Sequence, residues 1–145
     1  VKYIIPLLLL SFASFGQEEI TVEEQEVLDI VCTCTNEALE DVNYYLTTIL
    51  NYIKEHPEDG LDFEDEDLLA ELTEKQAAEY HRQEELFDSI LDTDEIDLCI
   101  EDTDGFDDVI DTGMMEGRTK VYIAYLHSIE CYGLETIFRI MMYDY

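Results

Sequence analysis

Basic residues are scarce in this chain. Seven Lys and Arg stand against 37 Asp and Glu in 145 residues, a formal charge of −30 at pH 7. A surface of that sign repels nucleic-acid phosphates and anionic lipid headgroups, so neither is expected as a direct partner. Motifs of catalysis are missing as well. There is no G-x-S-x-G, no H-E-x-x-H and no phosphate-binding glycine loop, and the three histidines, His56, His81 and His127, have no nucleophile motif beside them. Cysteine is sparing, four residues, and none has C-x-x-C spacing, which disfavours a thiol oxidoreductase. Carboxylates are so frequent that no pair stands out as a glycosidase-type acid and base. The expectation is a non-enzymatic protein.

What is present argues for a packed domain. Charge of this size opposes compaction by self-repulsion. Ten Tyr, six Phe and many Leu, Ile and Val nevertheless place the composition outside the disordered class. Residues 1–16 read as a secretory signal peptide: Lys2 as the charged start, an apolar run from Ile4 to Phe15, and Ser14-Phe15-Gly16 as a small-x-small cleavage site. The apolar run is shorter than the ~20 residues of a membrane span. Residues 17–145 then form one acidic helical domain, exported to the periplasm or beyond, with no membrane segment in the mature form.

The organising stretch is 21–56. Thr21 and Glu24 have capping-box spacing. Apolar residues recur at Val27, Val31, Cys34, Ala38, Val42, Tyr45, Ile49 and Tyr52, with a second row at Leu28, Cys32, Leu39, Leu46, Leu50 and Ile53. Steps of three, four and seven define one wide face of a long helix, and His56-Pro57 ends it. Cys32 and Cys34, two residues apart, lie roughly 200° apart around that helix. They are badly placed to bond each other, and each is placed to reach a different neighbour, Cys99 or Cys131. Two disulfides are therefore expected, with either pairing open. The competing account is a zinc or copper site built on His127 and Cys131, four residues apart on a helical face, with one of the N-terminal cysteines, Cys32 or Cys34.

Residues 64–91 read as a second helix with a polar middle. Ile96 to Ile100 suggest a short helix capped by Thr93 or Asp94, and Gly113 and Gly117 bracket a loop at Met114-Met115. Residues 119–143 are apolar on most sides. The absence of strict alternation favours helix over strands there, the strand alternative carrying a hairpin near Tyr132-Gly133. The predicted fold is all-α: a small disulfide-stapled bundle built on one long N-terminal helix.

Half of the residues in 92–111 are acidic, ten of twenty, and none is basic. Asp102-x-Asp104-Gly105 with Asp111 resembles part of an EF-hand loop, but Ile100 falls at the first ligand position, so the match fails. Two binding expectations follow. One is a cationic protein partner, as for an inhibitor or immunity-type protein. The other is weak calcium binding by Asp102, Asp104, Asp107, Asp108 and Asp111. Against both stands the view that the charge only keeps the protein soluble in salt.

Overall fold

The computed structural model describes residues 19–101 and 103–143. The signal-peptide expectation for residues 1–16 and the Asp102 ligand expectation lie outside the described residues. Helix α1 spans Val22–Asp41 and begins on the expected capping box: the Thr21 hydroxyl accepts from the Glu24 amide at 3.2 Å, and the Glu24 carboxylate accepts from the Thr21 amide at 2.8 Å. Helix α2, Asn43–Glu55, follows after a single residue, Val42, and ends at His56 before Pro57. The expected long N-terminal helix is thus present but interrupted at one position. Val42 sits at φ −112° and ψ 15° and is fully buried. No proline or glycine breaks the helix there.

The interruption is satisfied from a distance. Amides in the first turn of a helix have no partner within it. That of Tyr45 donates to Gln83 Oε1 at 3.0 Å, and the Gln83 side-chain amide donates onward to Glu79 at 2.7 Å. Gln83 is buried. Replacing it with leucine is expected to cost about 1–3 kcal/mol, the penalty for a buried donor left unpaired. Hydrogen exchange checks this site by site: the Tyr45 amide should lose protection in the variant well before the core amides do.

The expected second helix divides into α3, Asp65–Ala70, and α4, Glu74–Leu91. Thr73 and Gln76 form another capping box that starts α4 afresh. Helix α5, Asp94–Glu101, occupies the acidic segment. Thr93 does not cap it; its hydroxyl donates back to the Ile90 carbonyl at 2.9 Å. A π-helical turn, Asp108–Thr112, leads into one helical turn, α6, Gly113–Met115, where a loop was expected.

Residues 119–143 are helical, in two pieces. Helix α7, Thr119–Ser128, and helix α8, Tyr132–Met141, pack against each other. The chain leaves α7 through a Schellman ending: the Cys131 amide bonds the Leu126 carbonyl at 2.9 Å and the Glu130 amide the His127 carbonyl at 3.2 Å. Glu130 takes the left-handed position, φ 61°, where glycine is usual. Gly133, the residue of the strand alternative's hairpin, lies inside α8 instead. A Cβ there would stand 2.6 Å from Leu39 Cβ, so glycine is what lets α8 approach α1.

Helix α8 packs on α1 and α2, α7 on α1, α4 on α2, and α5 on α1. The main core joins Val27, Leu28, Val31, Leu39, Val42 and Leu46 to Tyr122, Ile123, Leu126, Leu134 and Phe138. These are the expected apolar rows of α1 and α2 set against α7 and α8. A smaller core of Tyr52, Leu68 and Tyr80 holds α3 and α4 to α2. Among the described residues there is no strand, and no helix is long and apolar enough to cross a membrane. Both disulfides form between α1 and a distant element, Cys32 with Cys131 and Cys34 with Cys99. The bundle is therefore stapled on two sides of its first helix.

Candidate functional site: a carboxylate-lined cleft

The acidic segment folds by turning its few apolar residues inward. Val109 is buried in the main core, and Ile100, Phe106 and Ile110 pack against that core. Asp104, Asp107, Asp108 and Asp111 are left on the surface. In α5 no residue is buried; Asp94, Glu95 and Asp97 occupy its first turn, where they favour the positive end of the helix dipole. The chain then folds back through short backbone bonds, Thr103 amide to Ile100 carbonyl at 2.8 Å and Val109 amide to Gly105 carbonyl at 2.9 Å. Gly105, at φ 82°, makes the bend close to Glu23 of α1.

The result is an open cleft of about 600 Å³ between α5 and the start of the π-helical turn. Among the described residues its walls carry Asp97, Glu101, Asp104, Asp107 and Asp108, with Ile100 and Phe106 on the floor, and no described Lys, Arg or His lines it. Cys34–Cys99 fastens one wall to α1. The other wall is fixed by a buried polar lock. Arg118, just before α7, grips Glu24 through two side-chain bonds, Nε to Oε1 and Nη2 to Oε2, the latter 2.7 Å, and Nη2 also donates to the Glu19 carbonyl at 3.0 Å. The Tyr122 hydroxyl lies 2.9 Å from both Glu24 Oε1 and the Val109 carbonyl, so α1, α7 and the π-helical turn meet on one phenol. Gly113 is required at this point: a Cβ would fall 1.9 Å from the Tyr122 oxygen. The hydrogen bonds from Arg118 hold the Glu24 carboxyl down at about 2, against an ordinary 4.5. Burial, then the bond to Glu24, pushes the Tyr122 phenol up to about 12.

Every arginine of the chain is paired with a glutamate of the same chain, Arg82 and Arg139 at the surface. Arg82 pairs with Glu79 at 2.6 Å, Arg139 with Glu135 at 2.7 Å, and Arg118 with Glu24. Glu135 is itself buried, and its other oxygen lies 3.0 Å from His127 Nδ1. These pairings consume the chain's strongest cations and leave the acidic surface largely unrelieved.

The metal expectations separate by position. Cys131 is bonded to Cys32 and no described cysteine is free, so the His127–Cys131 ligand set does not exist; His127 faces Glu135 instead. Asp104, Asp107, Asp108 and Asp111 share the segment, but among the described residues no three acidic groups there converge as metal ligands. Convergence of that kind occurs at the far end of α2, where Glu55, His56 and Glu71, and His56, Glu58 and Asp59, come together.

Sequence reasoning finds the acidic segment and its cysteine and misses the lock behind it. Glu135 and Arg139 carry a local signal, four residues apart on a helix. Glu24 and Arg118, 94 residues apart, carry none. Comparison with protein-family models, with curated proteins and with solved structures finds no match.

Proposed function

We propose that this protein is an exported, non-enzymatic binding module whose acidic cleft takes a cationic protein partner, in the manner of an inhibitor or immunity-type protein. The observation that carries this reading is the cleft: among the described residues, five carboxylates on two walls, each wall anchored to α1, and no basic side chain in the lining. Confining like charges in this way raises the local potential above that of a scattered acidic coat, and it steers a basic partner toward one place. Ile100 and Phe106 supply an apolar floor for the body of an arginine or lysine side chain. A π-helical turn at the cleft's edge fits the tendency of such turns to occur at functional positions. Export is supported by two disulfides, which persist in oxidising compartments.

The reading predicts that immobilised protein captures a basic protein from the exported fraction at low salt and releases it at high salt. A bait carrying Asp104→Asn, Asp107→Asn and Asp108→Asn should lose most of that capture. If no protein is retained at any salt, the charge serves solubility alone. If retention depends on added calcium rather than on low salt, the segment is a cation site.

A further inference from the structure

The two staples differ in where they lie. Cys131 is fully buried, and Cys32, half-buried like Cys34, packs against the main core. Cys99 is exposed and Cys34 half-buried, and neither belongs to a core cluster. An open cleft of about 570 Å³, distinct from the acidic one, runs beside this second bridge, with Ala38, Ile90 and Ile96 in its lining. Leu98, next to Cys99, is 62 % exposed. A reactive thiol of another molecule therefore has a path to the Cys34–Cys99 sulfurs, with apolar surface at hand for the group that carries it. It has no such path to Cys131.

Besides this bridge, the helix that carries Cys99 is held by Ile100, which packs against the main core, and by its contacts with α1 and α4. Helix α5 buries no residue, and it carries Asp94, Glu95, Asp97 and Glu101 with no basic side chain. Charge repulsion pushes it away from the acidic body of the protein, and the disulfide opposes that push.

We propose that Cys34–Cys99 is a redox-sensitive latch on the acidic cleft, opened by a protein or small-molecule dithiol while Cys32–Cys131 keeps the bundle folded. One thiolate of the dithiol attacks Cys99 Sγ; the Cys34–Cys99 bond breaks, and Cys34 leaves as a thiolate and takes up a proton. The second thiol of the dithiol then attacks its partner sulfur in the mixed disulfide, releasing Cys99 as a thiol. The dithiol is oxidised to a disulfide and supplies both electrons. Exchange of this kind is controlled by access to the attacked sulfur as well as by thiol pKa. Once free, α5 swings from α1 and takes Asp97 and Glu101 out of the cleft wall, so the latch acts on the cleft's geometry whatever the cleft binds.

The test is a titration of the folded protein with dithiothreitol at neutral pH, quenched by alkylation and mapped by mass. Cys34 and Cys99 should be labelled at a dithiol concentration roughly tenfold or more below that needed for Cys32 and Cys131. Hydrogen exchange at that point should be fast over 94–101 and still slow in α7 and α8. Bridges that open together, or Cys32–Cys131 first, would overturn the proposal. So would α5 amides that stay protected after selective cleavage. The Cys34→Ala/Cys99→Ala variant gives a second check without reductant: it should keep slow exchange in α7 and α8 and lose it in α5, and global unfolding of this variant contradicts the latch.

Discussion

Arg118→Met is expected to remove about 3–5 kcal/mol of folding stability, the range for stripping one partner from a buried ion pair. Glu24 and Arg118 both have largely covered side chains, 9 % and 16 % exposed. Methionine retains the bulk of the arginine stem but leaves a buried carboxylate without its cation. The pH dependence identifies the cause. The Glu24 carboxyl stays ionised in the fold down to about 2, below its ordinary 4.5, chiefly through the Arg118 bonds. A depressed carboxyl pKa adds stability above the unfolded value and loses it as pH falls through the folded one. The stability gap between wild type and variant should therefore be largest above about pH 5 and shrink steadily toward pH 2. Taking the difference cancels the other carboxylates, whose protonation also relieves the molecule's general repulsion. Urea titrations at matched ionic strength read this directly. A gap that stays constant from pH 6 to pH 2 means lost packing rather than lost charge pairing.

Cys32→Ala/Cys131→Ala ranks with it. The bridge joins residues 99 apart in sequence, and loop closure of that length contributes about 4–5 kcal/mol in the chain-entropy description. The Cys34–Cys99 bridge spans 65 residues, and the logarithmic dependence on length makes the two differ by only about a few tenths of a kcal/mol on that count. Burial separates them. Removing Cys131 sulfur also empties space in the core where α8 meets α1, whereas removing Cys99 exposes nothing that was covered. Urea unfolding should show the 32/131 pair costing clearly more than the 34/99 pair. Equal losses would mean that loop entropy alone sets both contributions and that the core does not depend on the inner bridge.

Local chemistry made much of this architecture readable. The apolar rows from Val27 to Ile53 are the core face of α1 and α2, and the Thr21–Glu24 box is the start of α1. The two-residue spacing of Cys32 and Cys34 told against their pairing, and each does bond a different distant cysteine. Thr73-x-x-Gln76 had the same capping spacing as Thr21-x-x-Glu24 and marks the break between α3 and α4 within what periodicity reads as one helix. Other features had no local signal. The break at Val42 depends on an acceptor from Gln83, and the division of α7 from α8 rests on Glu130 in a conformation that sequence normally assigns to glycine. The acidic segment was visible as composition. Its shape as a cleft was not, because the walls are set by Cys34 and by Tyr122, far away in the chain.

The central claim is that the cleft, and not the general acidity of the surface, recognises a cationic partner. The most direct test compares two variants of equal net charge. One carries Asp104→Asn, Asp107→Asn and Asp108→Asn in the cleft; the other carries Asp62→Asn, Glu66→Gln and Asp88→Asn, three exposed carboxylates outside it. Affinity for the basic protein captured by the wild type is measured for each at one fixed salt concentration. The account predicts a loss of roughly tenfold or more for the cleft variant, as the removal of close charge pairs produces, and near-wild-type affinity for the other. Equal losses in the two variants would contradict it, because recognition would then follow total charge.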